Sequence, residues 1–77
     1  MPTIDFVGPY RVFFTSHDMG EPPHVHVKRD RSAAKLWLDP VALARNGGFS
    51  ARELTEIQRI VEQRQAQYLE RWHEFFG

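Results

Sequence analysis

The chain has 77 residues, 42% hydrophobic and 13% aromatic, and its ten Lys and Arg balance ten Asp and Glu. That length predicts one domain, residues 1–77, near the lower limit of unaided folding, and the composition excludes intrinsic disorder. Charge balance argues against a generic polyanion binder, and the absence of cysteine excludes a disulfide framework, a thiolate metal site and a cysteine nucleophile.

Met1 to Phe6 reads as an ordered arm that enters a turn at Gly8-Pro9. Tyr10-Arg11-Val12-Phe13-Phe14-Thr15 is rich in β-branched and aromatic residues and predicts the first strand. Ser16 to Pro23 is polar and ends in two prolines, which a central strand excludes, so a loop is expected there. His24-Val25-His26-Val27-Lys28 alternates strictly and predicts the second strand. A tight turn at Arg29 to Ser32 leads into the third, Ala33 to Leu38, as an antiparallel hairpin. Asp39-Pro40 interrupts, and Val41 to Ala44 is either a short fourth strand at an edge or a continuation past a bulge.

Arg45-Asn46-Gly47-Gly48 reads as a turn. Ser50 and Glu53 have the spacing of a capping box, and Phe49 and Leu54 that of a hydrophobic staple. Ala51 to Phe76 holds neither glycine nor proline, and Leu54, Ile57, Val61, Tyr68, Trp72 and Phe75 recur at three-four spacing. One long amphipathic helix is expected, whose apolar stripe needs the sheet as its partner. The fold class that follows is α+β: a three- or four-stranded antiparallel sheet with one long C-terminal helix packed on one face.

One covered face leaves one free face, and period-two alternation sorts the side chains between them. Val25 and Val27 go to the helix side, because burying two imidazoles and an ammonium there would cost several kcal/mol without partners. Ala34, Leu36 and Leu38 go inward in the third strand, and Tyr10, Val12 and Phe14 in the first. The free face is then expected to carry Phe13 and Trp37 among Arg11, His24, His26, Lys28 and Lys35. Two large aromatics among basic groups suggest contact with a partner protein or a second copy, or with bases and phosphates.

The histidines admit three readings. Two rings on one side of a strand stand close enough to share a metal, with His17 or Glu21 as a third ligand, but alternating strands produce such pairs by chance and no metal or cofactor is expected. A histidine acting as general acid or base beside Lys28 or Arg11 would suit a small ribonuclease or nucleotide-binding enzyme. The run resembles the histidine-triad motif, except that Lys28 stands where that family keeps its third, catalytic histidine. The third reading is structural: His24 and His26 hydrogen-bond the Ser16–Glu21 loop, with Asp18 or Glu21 as acceptor. His73, late in the helix, is placed to meet the last carbonyls.

Met1-Pro2-Thr3-Ile4, Pro22-Pro23-His24-Val25-His26-Val27 and the closing Asn46-to-Trp72 segment together resemble the domain of unknown function 4160 family of short, mainly bacterial proteins. The resemblance implies strands followed by a helix, and makes the equivalents of His24 and His26 a hallmark of the family. Such proteins are commonly encoded beside a second short protein, a layout similar to a toxin–antitoxin module. No activity, cofactor or catalytic residue comes with the resemblance.

No stretch approaches the roughly 18 apolar residues of a membrane span, and the N-terminus lacks a signal-peptide core, so no membrane partner and a reducing cytoplasm are expected. The function expected is that of a small cytoplasmic binding module, one component of a two-protein system, using the His24/His26 face. The alternative is the small enzyme using His24 and His26 with Lys28 and Arg11.

Overall fold

A computed structural model describes residues 3–15 and 20–77. Five strands run in chain order as an antiparallel meander: β1 (Thr3–Val7), β2 (Tyr10–Phe13), β3 (His24–Arg29), β4 (Ser32–Leu38) and β5 (Val41–Gly47). Two helices follow, α1 (Ala51–Gln63) and α2 (Gln65–Phe76). The α+β class holds; the expected count of three or four strands and one helix does not.

Each departure has a physical origin. The N-terminal arm is itself a strand, because Gly8 at φ +56° closes the turn that lays Phe6 against Arg11 and Asp5 against Val12. At the other edge β5 runs through Arg45 and Asn46, which the glycines that follow mark as a turn in the sequence. A bulge allows this: Lys35 opposes Arg45 and Leu36 opposes Leu43, so Ala44 has no partner.

The helical segment breaks at Arg64 (φ −113°, ψ 14°). A straight helix from Ala51 to Phe76 would run roughly 39 Å, longer than the 33 Å greatest extent of the described residues. Bending brings Tyr68 and Trp72 back over the sheet, and two side chains hold the bend. Arg64 Nη1 donates to Asp5 Oδ2 at 3.0 Å, and Gln65 Nε2 donates to the Leu38 carbonyl at 2.6 Å. Tyr68 Oη, fully buried, also donates to Asp5 Oδ2, at 2.9 Å. Burial, and then that hydrogen bond to a carboxylate, push the Tyr68 phenol well above its ordinary range.

The start of α1 is pinned in the same way. Ser50 Oγ accepts from the Glu53 amide at 3.2 Å, as a cap should. The reciprocal half of the capping box is replaced: Glu53 Oε2 accepts from Arg29 Nε at 2.9 Å and from Tyr10 Oη at 3.5 Å. The guanidinium of Arg29 is thereby held more firmly protonated, chiefly by its bond to Glu53. Burial, with Glu56 and Glu53 nearby, raises the Tyr10 phenol. Asn46 completes the connector by exchanging two 3.0 Å hydrogen bonds with the Phe49 backbone.

Between the layers lies one core. Val12, Val25, Val27, Leu36 and Leu38 from the sheet meet Ile57, Val61, Tyr68 and Trp72 from the helices, all nine nearly or fully buried. Val25 (0% exposed) and Val27 (2%) therefore face the helices as their parity requires. His73 lies in the last turn of α2, where the Gly77 amide bonds its carbonyl. Among the described residues no helix is long and apolar enough to cross a membrane.

Candidate functional site

The register defines the uncovered face without ambiguity, since residues directly opposite each other share a side of the sheet. One row runs Phe6, Arg11, Lys28, Ala33, Gly47 from β1 to β5; the next runs Thr3, Phe13, His26, Lys35, Arg45. A third row, at the end where β3 begins, holds His24, Trp37 and Ala42. All seven residues expected on this face from the sequence lie in these rows.

They are not equally exposed. Lys28 is open to solvent, while Arg11, His26, Lys35 and Trp37 are half-buried and Phe13 is only 9% exposed. Phe13 owes its cover to its own row and the next: the His26 ring stacks on it at 5.3 Å and 24°, and the Arg11 guanidinium lies 4.7 Å from its centre. Arg11 is held there by Thr3, whose Oγ1 accepts from Nε at 2.8 Å. Trp37 is matched with Lys35, whose ammonium sits 4.7 Å from the ring centre and 2.5 Å from Glu21 Oε1. Phe13 and Trp37 thus each carry a cation over the ring.

His24 departs from the expected exposed position. It is fully buried, with Nδ1 2.9 Å from the Pro22 carbonyl. Its ring is surrounded by those of His26 and Trp72, each at 5.1 Å, and Trp37 at 5.6 Å. The reason is position in the strand. At the first residue of β3 the sheet ends, so Trp72 of α2 reaches a ring that belongs by parity to the other side. His24 thereby joins the free face to the helix layer. Its bond to a backbone carbonyl fits the structural reading in kind, although the acceptor is Pro22. His17 and Asp18, offered above as ligand and acceptor, lie outside the described residues, and Glu21 is engaged by Lys35. Among the described residues no three His, Asp or Glu side chains gather as a metal ion would require.

Two residues of this face were not singled out from the sequence. Phe6 is 70% exposed, the most open large apolar side chain described. Alternation with Ile4 would send Phe6 into the core beside that residue; the irregularity between Thr3 and Asp5 puts it on the opposite side, with Arg11. Arg45 is also exposed and makes no ion pair among the described residues. No local signal announces it, because its side depends on the bulge at Ala44.

The face therefore combines exposed Phe6, two cation-covered aromatics and the basic groups of Arg11, His26, Lys28, Lys35 and Arg45. Among the described residues the only carboxylate ion-paired to them is Glu21. Such a surface suits an acidic partner carrying apolar anchors.

Residues 10–73 match the family model described as Domain of unknown function (DUF4160), and the chain belongs to that family. No curated protein and no solved structure was found to match it.

Proposed function

We propose that this DUF4160 protein is a small cytoplasmic binding module, one component of a two-protein, toxin–antitoxin-like system, which docks its partner on the uncovered sheet face. The observation that carries the reading is the division of the sheet. Both helices pack on one side, and the other side exposes Phe6 in one row with Arg11 and Lys28, with Trp37 and Lys35 three strands away from it on β4. A solvated sheet face ordinarily presents small and charged side chains; an exposed phenylalanine beside Arg11 and Lys28, which make no ion pair among the described residues, favours a contact surface. Its charge asks for a partner patch rich in Asp and Glu, which would steer encounter as well as fix register.

The ribonuclease reading has His26, Lys28 and Arg11 on one face in its favour. Against it stands the burial of His24, which withdraws one of the two imidazoles from any substrate. Two experiments separate the readings. Co-expression with the short protein encoded beside it should give a complex that survives size exclusion. Lys28→Glu should abolish it while leaving the circular dichroism spectrum unchanged. A wild-type chain that elutes alone, or a Lys28→Glu variant that still pairs, would sink the docking proposal. Turnover of RNA that disappears in a folded His26→Ala variant would instead establish the enzyme.

A further inference from the structure

The bulge at Ala44 has a consequence for chemistry as well as for pairing. Without the extra residue, Ala44 would oppose Lys35, and Arg45 would oppose Ala34 and face the helices. With it, Arg45 opposes Lys35 on the free face, and Asn46 opposes Ala34 and holds the Phe49 backbone. Bulges commonly re-aim a side chain in this way beside functional sites. The next free-face positions, in the neighbouring row, are Ala33 and Gly47, which add a methyl group and nothing, respectively, to that side. Together these leave a depression of about 290 Å³ whose lining includes His26, Lys35 and Arg45, with Ala33 and Gly47 as its floor. Lys28, directly opposite Ala33, stands at its border.

We infer that this depression binds a phosphate monoester of nucleotide size. Imidazole, ammonium and guanidinium groups come from His26, Lys35 and Arg45, neighbours in one row across three strands, and so concentrate positive charge beside the depression. A phosphate monoester, which carries close to two charges at neutral pH, gains more from that charge than a singly charged carboxylate, and a guanidinium can bind two of its oxygens at once. Lys35 contributes in part only, because Glu21 accepts from its ammonium; Arg45 and Lys28 make no ion pair among the described residues. The volume exceeds that of a bare phosphate, and the half-buried His26 ring in its lining offers a flat surface for an attached base. The site goes beyond the docking proposal and does not require it.

The test is an amide chemical-shift titration with AMP, adenosine, inorganic phosphate and a short single-stranded RNA. AMP is expected to give saturable shifts at Ala33, Lys35, Arg45 and Gly47, with phosphate weaker at the same amides and adenosine without effect. Arg45→Gln should weaken AMP by about tenfold, the loss of one charge-assisted hydrogen bond. Ala33→Leu, which fills the floor, should do so at least as strongly, and Arg59→Gln on α1 should change nothing. Adenosine binding as well as AMP would overturn the inference, as would an absence of saturable shifts. Binding of RNA alone, with no response to phosphate or AMP, would also overturn it, because a charged stripe and not a site would then explain the affinity. Because no partner protein enters the titration, its failure leaves the co-expression result untouched.

Discussion

The two faces of this sheet use the same alternation to opposite ends. On the helix side, rows such as Val12–Val27–Ala34 are sealed against Ile57 and Val61. The polar groups that enter that side include Asp5, bonded to Arg64 and Tyr68, Glu53, bonded to Arg29 and Tyr10, and Gln65, bonded to the Leu38 carbonyl. On the other side, Phe13 and Trp37 lie under cations, and Arg11, Lys28 and Arg45 make no ion pair among the described residues. Stability should therefore reside on the first face and binding on the second, and substitutions can break that division or sharpen it.

The largest effect belongs to the covered side. Phe14 is fully buried, with Trp72 at 5.2 Å and Phe76 at 5.9 Å. Phe14→Ala should cost about 3–5 kcal/mol, comparable to the whole stability of so small a domain, and urea denaturation should find it largely unfolded in buffer. Asp5→Ala should cost about 1–3 kcal/mol, because it strands a buried phenol without its acceptor. The same denaturation midpoint reads it, and a loss below that range would mean that Asp5 does not hold the bend.

Alkaline pH gives a third test. The Tyr68 phenol is raised above its ordinary 10.0 in the folded chain, by burial first and by Asp5 second. Above about pH 10 the unfolded chain releases this proton while the folded chain keeps it, so stability falls as pH rises. The contribution is complete below that pH, and the slope approaches about 1.4 kcal/mol per pH unit. Denaturation curves between neutral and strongly alkaline pH should show this slope, and Tyr68→Phe should flatten it. A wild-type curve that stays level would remove the assignment.

The smallest effect on stability belongs to the free face. Phe6→Ala should change the denaturation midpoint by no more than about 0.5 kcal/mol, as surface substitutions do. The same variant should weaken the partner complex by about tenfold or more, as loss of an aromatic anchor does. A large loss of stability in Phe6→Ala would mean that this side too is structural.

What could be read from the sequence follows the range of the interactions involved. Parity in β3 and β4, the Ser50 cap and the apolar stripe from Leu54 to Trp72 depend on neighbours within a few residues and are where the residue types require them, whereas Phe75, the last residue of the expected stripe, is 46% exposed. The break at Arg64 is set by Asp5, 59 residues away, and by the Leu38 carbonyl; no helix-breaking residue marks it. His24 is buried by Trp72 from the far end of the chain, so its surroundings lie beyond any local pattern. Arg45 was hidden for another reason. A bulge changes the parity of every residue after it, and Ala44 carries no chemical sign that it is the extra one.

The division between the two faces is tested most directly by mapping amide shift changes when the neighbouring gene product is added to the labelled protein. The account predicts that perturbed residues cluster at Phe6, Arg11, His26, Lys28, Lys35 and Trp37. Perturbation centred instead on Arg52, Glu56 and Arg59, along the exposed side of α1, would contradict it.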